Sequence, residues 1–162
     1  MSQPSSITNS RARKAILFAW LTAGSLDILA ACVQYYLKTG MNPEGVLKYV
    51  ASGFFGSAAF SGDATMVVWG LVFHYINAFC FTLFFFMIYP RLKFLSYNKG
   101  ITAIIYGLFA WCVMNLIVVP LSNTPKSAFH LSNALIAATI LIFMIGLPIT
   151  WIIGNYYSRS KK

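Results

Sequence analysis

The side chains of this chain that could do chemistry are few, and all stand in apolar surroundings. Asp27 lies inside the apolar run 15–37. His74 and Asn77 stand three apart inside the run 66–89, on one helical face. Gln34 falls near the far end of the first run, and Asn115 in the later part of a third. A carboxylate and an imidazole at similar depth can exchange protons, or bind a cation or a small polar ligand. The same five groups, Asp27, Gln34, His74, Asn77 and Asn115, can instead hydrogen-bond to one another and fix helix packing, at roughly 1 kcal/mol per contact. Either way Asp27 must face inward, because a charge at mid-membrane costs on the order of 3 kcal/mol or more.

Catalysis and metal binding find little support. Ser25 neighbours neither histidine, so a Ser-His-Asp arrangement cannot be argued. The histidines, His74 and His130, are far apart in sequence, which leaves haem ligation resting on their number alone. Cys32, Cys80 and Cys112 are odd in number, lack a Cys-x-x-Cys spacing and lie in apolar stretches. No Gly-Lys-Ser/Thr element is present for phosphate binding. The expectation is a non-enzymatic protein with no catalytic residue, metal or cofactor.

The elements that must position these groups follow from composition. Of 162 residues, 59% are hydrophobic and 9% charged, against about 25% charged in soluble domains. Four apolar runs, 15–37, 66–89, 100–120 and 133–156, are each long enough to cross about 30 Å of hydrocarbon. In lipid such runs must be helical to satisfy their own backbone. The predicted fold is all-α: a four-helix transmembrane bundle spanning 15–157. A disordered basic tail at 1–14 precedes it and a basic tail at 158–162 follows. Pro90 and Pro120 mark span ends, and Pro148 should kink the fourth helix.

The segment between the first two runs carries its own helix signal. Asn42 can cap, Pro43 suits the first position and Glu44 complements the dipole. Val46, Leu47, Val50 and Phe54 recur at helical spacing, so 43–55 reads as a short amphipathic helix on the outer membrane surface. The small residues Gly53, Gly56 and Gly62 suit close packing in a re-entrant turn or between two copies. Asp63 is placed to cap the second span.

Charge sets the orientation. Arg11, Arg13, Lys14, Arg91, Lys93, Lys99, Arg159, Lys161 and Lys162 fall on one side of the membrane, and only Lys38, Lys48 and Lys126 on the other. The positive-inside rule puts both termini in the cytoplasm. The +9 net charge therefore speaks for membrane topology and not for nucleic acid. The five polar groups lie at mid-depth or beyond it, which implies a pocket opening toward the periplasmic side. Leu29-Ala30-Ala31-Cys32 looks like a lipobox, but Asp27 interrupts its apolar core and the run continues to Leu37. The expected partners are the lipid bilayer and a homodimer or another membrane protein.

The order His74-x-x-Asn77, Tyr89-Pro90-Arg91-Leu92-Lys93, then Pro120-Leu121 through Thr124-Pro125 resembles the YagU-type bacterial inner-membrane proteins, a family of unknown function. The resemblance covers roughly 70–125. It implies a bacterial inner-membrane location and a link to acid stress, and it supplies no catalytic residue. Asn115 stands where such sequences tend to carry histidine. Reporter fusions at Tyr97 and Lys162 should both show cytoplasmic activity; a periplasmic signal at either position contradicts the orientation.

Overall fold

A computed structural model describes residues 5–126 and 130–160. Among these residues the structure is helical, with no strand. The helices are α1 (Ser5–Thr39), α2 (Glu44–Phe55), α3 (Ala58–Ser61), α4 (Ala64–Ile88), α5 (Lys99–Leu121) and α6 (Leu131–Arg159). Four of them, α1, α4, α5 and α6, are long and apolar enough to span a membrane. The chain is a multi-pass membrane protein built as a helical bundle. Its outward faces carry side chains such as Phe18, Leu29, Val68, Ile104, Leu116 and Phe143, which are exposed within the bundle and suited to acyl chains.

Helix α1 starts at Ser5, inside the stretch expected to be a disordered tail. No Gly or Pro falls between Ser5 and Ala23, and Arg11, Ala12, Arg13 and Lys14 are good helix formers, so the helix runs back through them. Residues 1–4 of that tail lie outside the described residues. The helix also continues unbroken past Cys32, so Asp27 and Gln34 belong to one element. At the other end α6 carries helical structure to Ser160, and Lys161 and Lys162 fall outside the described residues.

The caps are local. Asn42 Oδ1 accepts from the Glu44 N–H at 3.1 Å, Asp63 accepts from the Thr65 N–H at 2.9 Å, and Asn98 accepts from Gly100 and Ile101. Hydrogen bonding to the Thr65 side chain and backbone holds the Asp63 carboxyl below its ordinary range.

Around the bundle the order is α4, α1, α6, α5. Helices α5 and α6 meet through glycines: a Cβ on Gly107 would strike the Ile142 backbone, and one on Gly146 would strike the Ala103 carbonyl. Such small-residue contacts let transmembrane backbones approach closely. Helices α4 and α5 follow one another in the chain but are bridged by rings instead. Phe84 stacks on Phe109 at 5.3 Å, Phe85 meets Tyr106 at 4.5 Å, and the Tyr106 hydroxyl donates to the Phe81 carbonyl at 2.6 Å. Phe85 and Tyr106, together with Ala19, Tyr89, Ile149 and Ile153, fill the half of the bundle nearer both termini.

Helix α2 forms where the sequence places a short amphipathic helix, and its apolar face is covered by the bundle. It packs along α4, with Ala51 and Ser52 fully buried. A Cβ on Gly70 would hit the Leu47 carbonyl, so glycine permits the approach. Phe54 and Phe55 close on Phe73 and Trp69. The loop after α5 clasps the helix end: the Asn123 N–H donates to the Gly53 carbonyl and Asn123 Nδ2 to the Phe54 carbonyl, both at 3.0 Å. Gly53 and Gly56 face Ser122, Asn123 and Thr124, and Gly62 faces Met66. Each of these glycines thus has a neighbour within its own chain.

Two π-helical turns interrupt α5 and α6, at Met114–Val118 and Ile142–Gly146. Each precedes a proline, Pro120 or Pro148. A proline ring clashes with the carbonyl four residues back, here Leu116 and Met144, and both fall inside the widened turns. The disturbance expected at Pro148 thus includes a π turn just before it.

Gly107→Val and Gly146→Val should each destabilise the protein by about 1–3 kcal/mol through overpacking, seen as a lower melting temperature in detergent. Gly53→Ala, where a Cβ finds ordinary contact distances, should melt close to wild type.

Candidate ligand chamber

All five polar residues singled out from the sequence line one cavity of about 280 Å³. Helix α1 contributes Asp27, Ala31 and Gln34; α4 contributes His74, Asn77, Ala78 and Phe81. Met114, Asn115 and Val119 come from α5, and Ala137, Ile140, Leu141 and Ile145 from α6. The remaining wall is Val46, Tyr49 and Val50 of α2. The cavity therefore occupies the half of the bundle away from both termini, with Phe81 and Ile145 standing next to the packed half.

Each element reaches this chamber for a local reason. Asp27, Ala31 and Gln34 recur three to four residues apart and share a face of α1. His74, Asn77 and Phe81 do the same on α4. Asn115 sits in the π turn of α5, and its Nδ2 donates to the Trp111 carbonyl at 2.9 Å, leaving Oδ1 free.

The five groups do not satisfy one another. Among the described residues the hydrogen bond that one of them makes across a helix interface joins His74 Nε2 to the Gly24 carbonyl at 2.8 Å. The ring nitrogen must carry the proton there, since a carbonyl only accepts. Nδ1 has no hydrogen-bond partner among the described residues. His74 is the ionisable neighbour that acts on Asp27, and no described side chain donates a hydrogen bond to that carboxylate. Interhelical bonding lies elsewhere. Trp20 Nε1 donates to the Tyr75 carbonyl and Ser25 Oγ pairs with the Tyr75 hydroxyl, both at 2.8 Å. Tyr157 donates to the Phe86 carbonyl at 3.0 Å.

Tyr49, Val46 and Val50 are the lining residues that sequence reasoning placed elsewhere. Their three-to-four spacing marks a helical face, yet nothing local says that the face turns into the bundle. His130 lines a separate, outer cavity and not the chamber of His74, so the two histidines share no haem-like site. Among the described residues no cluster of three or more His, Cys, Asp or Glu side chains could hold a metal.

Comparison with protein families, with curated proteins and with solved structures gives no match.

The chamber's polarity can be read by labelling. In a background with Cys32, Cys80 and Cys112 replaced by serine, Gln34→Cys and Asn115→Cys should react rapidly with a water-soluble maleimide. Ile149→Cys, in the packed half, should react only after unfolding. Equal protection at all three positions would remove the wet chamber.

Proposed function

We propose that this chain is a non-enzymatic binding protein of a bacterial inner membrane, with both termini cytoplasmic and the chamber open toward the periplasm. The observation that carries the reading is Asp27, the one acidic side chain in the four spans, turned into a cavity with no Lys or Arg among its lining residues. An ionised carboxylate only accepts hydrogen bonds, the free Oδ1 of Asn115 adds an acceptor, and the amides of Gln34 and Asn77 can turn an acceptor toward the same ligand. Such a set suits a small ligand with a cationic or donor-rich end and an apolar body, seated against Val46, Ile140 and Leu141. The charge bias of the loops supports the orientation, and the likeness of the His74–Asn77 region to YagU-type proteins supports the location. Whether a second copy or another membrane protein meets the bundle bears on assembly and not on this chamber.

A second reading, a proton- or ion-coupled conduit linked to acid stress, is favoured by the proximity of His74 to Asp27. Against it stands the fully buried layer of Phe85, Thr82, Ile149 and Ile153, which closes the way toward the termini.

One pair of proteins separates these readings, wild type and Asp27→Asn. A short alkylammonium ion, added at 100 times its dissociation constant, should stabilise wild type by about 2.7 kcal/mol, read as a rise in melting temperature. Asp27→Asn should lose most of that rise. Equal stabilisation of both proteins, or none, refutes the binding reading. In vesicles given an acid jump, both proteins should leak protons no faster than empty vesicles; a faster, Asp27-dependent flux would establish the conduit instead.

A further inference from the structure

A second cavity of about 560 Å³ adjoins the chamber and shares Tyr49, Asn115, Val119 and Ala137 with it. Its chemistry is opposite. Lys126 and His130 line it, and none of the chain's three acidic residues does. Asn133 also lines it, and its Oδ1 accepts from Lys38 Nζ at 2.9 Å. A second ammonium is thus held at the rim by an amide and not by a carboxylate. Trp111 completes the set: its indole N–H is sealed from solvent and has no acceptor. A buried donor without a partner costs on the order of 1–3 kcal/mol, and an anion in this cavity would relieve it once a small turn of the ring exposes the N–H.

The other walls are apolar: Leu116, Val119, Pro120, Ala134 and Ala137. Leu116 and neighbouring Leu131 are about two-thirds exposed, at 66% and 65%, on the face suited to lipid. The site therefore offers two ammonium groups, an imidazole and an indole N–H beside a track for acyl chains.

We propose that this outer cavity binds a phosphate group, with Lys126 and Lys38 as its charge partners and Trp111 Nε1 as a neutral donor. The phosphate has two sources, an acidic phospholipid headgroup entering beside Leu116 and Leu131, or a free soluble phosphate. This site does not rest on the Asp27 reading. Asp27→Asn leaves it intact, so the two assignments fail separately.

The test uses the full chain in phosphatidylcholine nanodiscs, with or without phosphatidylglycerol, and a third arm with inorganic phosphate added to phosphatidylcholine alone. The Trp111 signal is the fluorescence of wild type less that of Trp111→Phe. Brominated phosphatidylglycerol should quench it more than brominated phosphatidylcholine. Lys126→Gln and Lys38→Gln should each lower the apparent affinity for the acidic lipid about fivefold. Lys93→Gln, in the loop at the opposite end, should leave it unchanged. Melting temperatures of the lysine variants in the same nanodiscs give a readout that needs no Trp111 substitution. A rise in melting temperature with inorganic phosphate alone, lost in Lys126→Gln, keeps the site and assigns it to a soluble anion. Equal quenching by both lipids with no effect of phosphate overturns the proposal, as does a loss in Lys93→Gln equal to that in Lys126→Gln.

Discussion

A carboxylate cannot rest among acyl chains. Burying an ionised group in hydrocarbon without partners costs more than any single helix contact returns. Asp27 sits midway along α1, and the bundle meets the constraint with space instead of a cation. Its carboxylate borders a chamber edged by His74, Asn77, Gln34 and Asn115, where water or a ligand can reach it. Much of the remaining architecture follows from keeping that space open on one side and closed on the other.

The closed side is aromatic. Phe85, Tyr89 and Tyr106 form a tilted ring cluster with Ile149 and Ile153 beneath α1. Tyrosine hydroxyls reach backbone carbonyls of α4 from both α5 and α6. These bonds matter in lipid because water cannot replace them. The open side is bordered by α2. That helix is packed along α4 and clasped by Asn123. Pairing of α4 with α5 is indirect, through rings and a hydroxyl, although the two are joined by a short loop.

Prolines and glycines then adjust the walls. Gly107 and Gly146 draw α5 onto α6 just where the Ile142–Gly146 turn widens. The π turn ahead of Pro120 presents Asn115 to both cavities. π turns are frequent at functional sites, and here their physical origin is the steric demand of a proline ring on the preceding turn. The result is two adjoining compartments of opposite polarity, one edged by a carboxylate and one by ammonium groups.

The amino-acid sequence by itself determined the four membrane helices, the caps at Asp63 of α4 and Asn42 of α2, and the inward set Asp27, Gln34, His74, Asn77 and Asn115. It could do so because hydropathy, helical period and the cost of a buried charge act locally, along a single helix. Only the tertiary structure decided that α2 supplies a wall of the chamber, that Gly53 and Gly56 face the loop after α5, and which of the two arrangements open to the five polar groups, a pocket or mutual hydrogen bonding, is formed. Those outcomes depend on how far apart helices settle. That spacing arises from contacts such as Leu47 against Gly70 and Ile142 against Gly107, made between residues remote in the chain, and no local pattern encodes which distant backbone will meet a given glycine.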